Sequence, residues 1–247
     1  MSSEHKLSPD DVLDIYEAIA YANSIGHKFN LYVELNWPIQ TAKTAELEAK
    51  AEKKLEEMFQ CFTKSVLSDL RKLPNFLDIY TFARVPQKGF CTLLFISCDN
   101  PNYVAKRIKS CARDKGRGYS YEPYEPKIVK TIDRQWRYFK ELIAGYECNG
   151  YVIRDADGEQ IPFDKVFGKS KKYGGFVKMK RIYGISRKLL KKHRDGFVSD
   201  FYKLLLADME KGDLFSGSYF YQTQQQKQYD DNFNVREFLE YMAQGDE

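Results

Sequence analysis

The side chains best suited to chemistry are cations and tyrosines that follow one another in a short central stretch. Ammonium and guanidinium groups neutralise phosphates, and tyrosine rings stack on unpaired bases. Glycines within the stretch, in Lys115-Gly116-Arg117-Gly118, allow the backbone to adapt to a ligand. The pattern predicts a contact surface for single-stranded nucleic acid formed by Lys106, Arg107, Lys109, Arg113, Lys115, Arg117, Tyr119 and Tyr121. The alternative is that the tyrosines pack against a sheet and the cations lie in water.

A second group of cations lies further along the chain, close to glycines that allow a ligand to approach the backbone. Lys178 and Lys180 share one face of a predicted strand, and Ser186-Arg187 is expected to begin a helix, where amide donors and a cation favour a phosphate. The sequence contains no GxxxxGK(S/T) loop, so a nucleotide site is not predicted. The members expected to bind nucleic acid are Lys178, Lys180, Arg181, Arg187 and Lys188.

The charges are distributed unevenly along the chain. Residues 101–200 contain 24 Lys and Arg against 12 Asp and Glu, whereas residues 1–60 contain 6 against 11 and residues 201–247 contain 4 against 9. A basic middle between acidic ends is typical of a polyanion-binding surface. We therefore expect the central cations to form one belt for a sugar-phosphate chain, and the acidic ends to contact a protein partner. A solvated face on a Lys-rich protein is the alternative.

Metal-binding and membrane functions are not indicated. The three histidines are scattered, and the five cysteines contain no CxxC pair, so we expect buried, reduced thiols and no metal. No apolar run approaches the roughly 18 residues of a membrane span. The N-terminal residues lack the apolar region of a secretion signal. The expectation is a soluble, cytoplasmic protein that needs no cofactor.

The elements that must position the cations and tyrosines follow from hydrophobic periodicity and from capping residues. A helix is predicted from Ser8-Pro9, where a capping hydroxyl precedes a proline, to about Gly26. A long amphipathic helix is predicted to run from about Ala45 to Leu73, before Pro74. The remaining predicted elements are strands at 29–35, 76–85, 90–97 and 176–183, helices at 102–113, 131–146, 200–211 and 235–242, and a hairpin at 150–163.

This order of elements predicts an α+β fold. Its centre is expected to be an antiparallel-rich sheet with a β-α-β-β core and helices packed on one face. The predicted parts are an acidic N-terminal helix at 1–28, the α+β domain at 29–200, and an acidic C-terminal helix with a Gln-rich tail at 201–247.

Three of these features together resemble the rolling-circle replication initiators of phages and plasmids, the HUH endonuclease class. They are the β-α-β-β block from Phe29 to Ser97, the helical segment from Asn102 to Lys109, and the sequence segment from Lys180 to Leu189. In that family a strand entered from a turn begins with His-apolar-His, which holds a metal ion. A later helix carries a tyrosine that attacks a DNA phosphodiester. The resemblance covers roughly Phe29 to Leu190 and implies binding of single-stranded or hairpin DNA.

The resemblance assigns Tyr103 to the nucleophile position, with Lys106 on the same helical face. Phe90 and Thr92 stand where the family has its two histidines, and neither side chain can replace an imidazole ligand. We therefore expect a nucleic-acid-binding protein whose metal site has been lost. One alternative is an active nickase that uses Tyr103, or another tyrosine of the 119–124 cluster, with a divalent metal ion at an unconventional site. Another is that Tyr103 only packs on its helix, and a third is a protein-interaction or regulatory module of a phage or plasmid.

Overall fold

The computed structural model describes residues 6–39, 45–85, 89–112, 121–123, 125–130, 132–143, 145–146, 152–154, 160–167 and 182–194. The predicted helices at 200–211 and 235–242, the Gln-rich tail and most of the predicted strand at 176–183 lie outside these residues.

The described helices and strands follow the predicted order through the first half of the chain. The helices are α1 (Pro9–Ser24), α2 (Ala45–Phe62), α3 (Ser68–Leu70), α4 (Pro101–Cys111), α5 (Ile132–Leu142) and α6 (Phe163–Phe167). A π-helical turn joins α2 to α3, and two short 3-10 turns lie at Arg187–Leu189 and Lys191–His193. The strands are β1 (Phe29–Trp37), β2 (Leu77–Val85), β3 (Gly89–Ser97), β4 (Glu122–Pro123), β5 (Lys127–Ile128), β6 (Val152–Arg154), β7 (Gln160–Pro162) and β8 (Tyr183–Ile185).

Local capping chemistry sets where α1 begins and ends. The Ser8 hydroxyl oxygen accepts a hydrogen bond from the Asp11 amide at 3.2 Å, and the Asp11 carboxylate accepts one from the Ser8 amide at 2.9 Å. This reciprocal pair satisfies amides that the first helical turn leaves without partners. The helix stops before Gly26, whose φ of 85° lies in the left-handed region that glycine adopts easily.

The predicted α+β class with a central antiparallel sheet is confirmed. The strands lie in the order β4-β1-β3-β2-β8, and β5 pairs with the same edge of β1 as β4. All of these pairings are antiparallel. Because β3 lies between β1 and β2, the connection through α2 forms a split β-α-β unit.

Helices cover both faces of the sheet, whereas the sequence predicted one covered face. Alternate residues of β3 point to opposite sides. On the first side, Phe90 and Leu94 share a core with α2 and α4, and we call this the α2–α4 side. On the other, Leu93 and Phe95 share a core with α1, α5 and α6, the α1–α5 side. All nine residues of β3 are buried, which requires an apolar layer on each side.

The N-terminal helix α1 packs into the core of the α1–α5 side. Val12, Ile15 and Ile19 of α1 are fully buried on the α1–α5 side. The ring of Tyr16 lies 5.4 Å from the ring of Phe139, within the range of a favourable aromatic pair. The helix therefore supplies one of the two layers that β3 requires.

The later elements agree only partly with the prediction. The predicted hairpin forms, with Val152 paired to Pro162. The helix expected at 131–146 is shorter, Ile132–Leu142, and α6 was not predicted. Of the strand expected at 176–183, the structure describes only residues 182 and 183, and Tyr183 is the first residue of β8. α6 and β8 are short, and β8 pairs with β2 about 100 residues earlier in the chain, so local periodicity identifies them poorly.

A close contact between Tyr80 and Gly184 fixes the pairing of β8 with β2. The two residues are directly opposed across the strands. A Cβ atom added to Gly184 would overlap the Tyr80 ring, at a separation that real Cβ atoms essentially never show. The ring is held in turn by the Phe59 ring, 4.8 Å away. Only glycine therefore leaves room for the ring at this position.

Replacing Gly184 by alanine should destabilise the fold. The new methyl group must displace the Tyr80 ring from its packing, at a cost of about 1–3 kcal/mol in the free energy of unfolding. Urea denaturation followed by circular dichroism measures the change. Tyr80→Ala is the control background, because the same Gly184→Ala change should cost much less once the ring is absent. Equal costs in the two backgrounds would contradict the steric explanation.

Candidate nucleic-acid interface

The helix α4 presents an exposed ring and two cations on its outer face. Val104 and Ile108 point into the core of the α2–α4 side. Tyr103 points outward and is 52% exposed, and it is the only exposed Phe, Tyr or Trp among residues whose burial the structure describes. Lys106 is exposed and Arg107 partly so, three and four residues after Tyr103. This spacing brings the two cations onto the same helical face as the ring.

An N-terminal cap fixes the backbone of Tyr103 at the start of α4. The Asn100 side-chain oxygen accepts a hydrogen bond from the Tyr103 amide at 3.0 Å, and Pro101 occupies the first helical turn. Asn at this position and Pro at the next are both favoured at helix starts. The Tyr103 backbone is therefore ordered by its own sequence.

The cations of α4 differ in how far they are neutralised. Among the described residues, no ion pair involves Lys106 or Arg107. Lys109 is different, because its Nζ donates to both Glu125 carboxylate oxygens at 2.7 and 2.6 Å. Lys109, and more weakly Lys127, lower the pKa of the Glu125 carboxyl. A phosphate would have to replace Glu125 to bind Lys109.

Lys127 is a cation near this surface that the sequence analysis did not select. It is exposed on β5, beside the Lys109–Glu125 pair. The signal available in the sequence was its position in a short extended segment after two prolines. Its edge position along β1 depends on tertiary pairing and could not be read from that segment.

Tyr121 is buried, which corrects its prediction as a base-stacking residue. Its side chain is only 2% exposed. The ring packs against Trp37 and Phe62 at centroid distances of 5.6 and 5.2 Å. Its hydroxyl donates to the Ile108 carbonyl oxygen at 2.7 Å. Tyr121 therefore attaches α4 to the sheet edge and has no face free for a base.

Phe90 and Thr92, the positions equivalent to the family's histidines, lie inside a closed core. Both are at most 1% exposed. The Trp37 indole nitrogen donates to the Thr92 hydroxyl oxygen at 2.8 Å, which satisfies both buried groups. Tyr103 lies on the outer face of α4, so the three positions that the resemblance linked do not meet. Among the described residues, no group of three His, Cys, Asp or Glu is arranged to hold a metal ion.

The second group of cations lies in the two 3-10 turns after β8. Arg187 and Lys188 are exposed, as are Lys191 and Lys192 in the next turn. We call the segment 187–193 the basic turn. It is not the helix start that the sequence suggested, because each helical piece has only three residues.

The beginning of the basic turn is fixed by the buried carboxylate of Asp78. Arg71 donates to Asp78 through Nε at 2.9 Å and Nη2 at 2.6 Å, and the Ser186 hydroxyl donates to it at 2.8 Å. The Ser186 oxygen in turn accepts from the Asp78 amide at 2.9 Å. Hydrogen bonding to Asp78 raises the pKa of Arg71 above its ordinary value. Ser186 is therefore used inside the fold and does not offer its hydroxyl to a phosphate.

The end of the basic turn is fixed by Arg194, which is 1% exposed. Its guanidinium donates to Glu17 at 3.0 Å and also to Asp14, both on α1. The Tyr183 hydroxyl donates to Asp14 at 2.8 Å, and burial followed by this hydrogen bond raises the pKa of Tyr183. Asp14 and Glu17 belong to the acidic N-terminal segment that was expected to contact a protein partner. In the structure they hold the end of the basic turn against α1.

The described cations do not form the single belt that the sequence suggested. Those of α4 lie near β1 on the α2–α4 side. Those of the basic turn follow β8, at the other edge of the sheet, where Leu189 packs on the α1–α5 side. The other predicted contacts lie outside the described residues, namely Arg113, Lys115, Arg117, Tyr119, Lys178, Lys180 and Arg181.

Comparison with known proteins adds no family to this picture. No protein-family model matches the chain, and the searches of curated proteins and of solved structures gave no match. Within the described part of the chain, no helix is both long enough and apolar enough to cross a bilayer. The described cysteines are free thiols, of which Cys91, Cys98 and Cys111 are buried.

Replacing Glu125 by glutamine should strengthen binding of an oligonucleotide. The change removes the carboxylate that competes with phosphates for Lys109, and an exposed pair of this kind corresponds to an affinity gain of about two- to fivefold. Fluorescence anisotropy with a labelled single-stranded oligonucleotide measures it. Glu57→Gln, at an exposed position on α2, changes the net charge equally and should have less effect. Equal gains from the two variants would show that only net charge matters.

Replacing Ser186 by alanine should loosen the attachment of the basic turn. The variant leaves the buried Asp78 amide without its acceptor and removes one donor to the carboxylate, at a cost of about 1–3 kcal/mol in unfolding free energy. Chemical denaturation measures the loss. Ser110→Ala is the matched control, since that exposed hydroxyl bonds only within its own helix and its removal should change stability by less than about 0.5 kcal/mol.

Proposed function

We propose that this protein binds single-stranded DNA, and that the outer face of α4 is a contact surface for it. The observation that carries the proposal is the exposed ring of Tyr103 beside Lys106 and Arg107. Tyrosine rings are usually at least partly buried in folded proteins, and this holds for every other Phe, Tyr and Trp whose burial the structure describes. An outward ring beside two cations that pair with no described acid suits a ligand with both bases and phosphates.

The chemistry of this face favours a single strand over a duplex. An unpaired base offers a flat face on which the Tyr103 ring can stack, whereas the faces of bases in a duplex are already covered by their neighbours. Lys106 and Arg107 neutralise phosphates whatever the sequence. Arg107 also has a planar guanidinium, which can stack on a base or bind a phosphate through two donors. The expected binding is salt-dependent and only weakly sequence-specific.

The resemblance to rolling-circle initiators supports DNA as the substrate class. The β-α-β-β order and a tyrosine-bearing helix after the third strand favour that relationship, which remains part of the proposal. Phe90 and Thr92 are buried whereas Tyr103 points to solvent, and this difference favours binding without strand cleavage. We therefore propose a binding protein of a phage or plasmid element in which Tyr103 stacks on bases and does not attack a phosphodiester.

The proposal predicts different effects for the ring and for the charges. Tyr103→Ala should weaken binding of a single-stranded oligonucleotide by about 1–3 kcal/mol, while Tyr103→Phe keeps the stacking face and should bind almost normally. Lys106→Gln with Arg107→Gln should reduce the slope of log affinity against log salt by about 1.4, because each single-strand phosphate contact contributes roughly 0.7. Anisotropy titrations at several salt concentrations measure both effects.

Two controls separate this function from its alternatives. Lys53→Gln with Lys54→Gln removes two exposed charges from α2 and should leave the salt slope nearly unchanged. Polyglutamate offers negative charge without bases, so Tyr103→Ala should not alter its binding if the ring stacks on bases. Equal losses for polyglutamate and DNA would instead favour an acidic protein partner. A covalent adduct with DNA that disappears in Tyr103→Phe would favour a nickase.

A further inference from the structure

We propose that one chain holds two separate segments of nucleic acid at once, one on the outer face of α4 and one on the basic turn. This inference rests on the proposed function and extends it, since a protein with two such surfaces bridges strands and does not only coat one. The inference depends on one observation: the sheet and its helical layers separate the cations of α4 from those of the basic turn.

Hydrogen bonds hold the backbone of the basic turn in a fixed position against the rest of the fold. Its exposed members, Arg187, Lys188, Lys191 and Lys192, fall within six consecutive residues. Buried bonds hold the segment on both sides, from Ser186 to Asp78 and from Arg194 to Glu17 and Asp14. Because its backbone is held at both ends, little conformational entropy is lost when its side chains meet a polyanion.

The anchoring bonds also leave the exposed cations of the turn available. Asp14 and Glu17, the acids nearest to the turn on α1, are directed to Arg194 and Tyr183. The Asp78 carboxylate is directed to Arg71 and Ser186. Among the described residues, no ion pair involves the four exposed cations of the turn. Within the described part of the chain, they therefore present a positive surface that no acid neutralises.

The two surfaces are too far apart to act as one electrostatic site. The β1 edge and the β8 edge are separated by three strand spacings, and the surfaces lie on opposite helical layers. With strands about 4.8 Å apart and each layer packed about 10 Å from the sheet, the separation is on the order of 20 Å. That exceeds the Debye length of about 8 Å at physiological salt. Each surface therefore attracts phosphates independently of the other.

The two surfaces also differ in chemistry. The face of α4 has an exposed ring for a base, whereas the segment 187–193 contains no Phe, Tyr or Trp, and Tyr183, which precedes it on β8, is partly buried and hydrogen-bonded to Asp14. The turn therefore contacts phosphates alone, and strandedness matters little to it. We infer that α4 selects an unpaired strand while the turn accepts either a single strand or a duplex.

A two-oligonucleotide capture experiment tests the inference with the full chain. Protein is loaded on a bead-bound single strand of about 12 nucleotides, a length within the usual site size of one binding surface. A fluorescent, non-complementary strand of the same length is then added. The wild-type chain should retain the second strand, and native mass measurement should find two strands on one chain.

Variants of each surface distinguish this proposal from simple binding. Lys188→Gln, Lys191→Gln and Lys192→Gln together, or Lys106→Gln with Arg107→Gln, should keep capture of one strand but lower retention of the second about tenfold or more. Lys53→Gln, Lys54→Gln and Lys64→Gln, all exposed positions outside both surfaces, should retain both strands. The turn variant should also lose binding to a duplex, whereas Tyr103→Ala should not.

The outcomes that overturn the two proposals differ. If the wild-type chain binds no strand, the proposed function itself is wrong. If it binds one strand per chain and retains no second strand, or retains it only as a dimer with one strand on each copy, DNA binding stands and the two-surface inference is wrong. If either variant alone abolishes all binding, the cations form one continuous site, and the inference is again wrong.

Discussion

The central strand β3 imposes the main constraint on this fold, because both of its faces are apolar. A strand of this kind is stable only between two layers, and the chain supplies α2 and α4 on one side and α1, α5 and α6 on the other. Neither face of the central strands is then open to a ligand. Binding must use the outer surfaces of the helices and the edges of the sheet. Among the cations that the sequence singled out, those that the structure describes lie there, in two groups that the sheet separates.

Buried charges position the exposed ones. Asp78 and Arg194 are almost completely buried, and each is matched by opposite charge and by further hydrogen bonds. A buried ionised group destabilises the fold unless its partners are present. Removing one partner of such a pair therefore costs more stability than the intact pair contributes, because it leaves an uncompensated charge in the core. The structural effect of Asp78 and Arg194 is to fix the backbone on each side of the basic turn. The lysines between them remain in water, where they can exchange solvent ions for phosphates.

Tyr103 and Tyr121 illustrate how the same residue type serves two purposes. Both come from the basic, tyrosine-rich part of the chain, and both were predicted to act on DNA. Tyr103 faces outward because Val104 and Ile108 occupy the inward positions of α4. Tyr121 lies under that helix, and its hydroxyl bonds to the Ile108 carbonyl. Tyr103 is therefore available to contact a base, whereas Tyr121 attaches α4, the helix that contains Tyr103, to the rest of the fold.

About half of this description was available from the sequence. The start of α1, the three long strands, the hairpin between β2 and β3 and the α+β class depend on caps, turns and periodicity, which act between near neighbours. The exposed ring and cations of α4 also follow from its helical spacing. The covering of both sheet faces was readable in principle from the unbroken apolar run of β3, although only one covered face was predicted.

Tertiary structure alone decided which charges are free and where they lie. Lys109 meets Glu125 sixteen residues away, Ser186 meets Asp78 across 108 residues, and Arg194 meets Glu17 across 177. No local pattern encodes such partners, because the pairing of β8 with β2 and the packing of α1 bring them together. The sequence determined that the middle of the chain is basic and aromatic. The order of strands in the sheet determined that its described cations face two different sides.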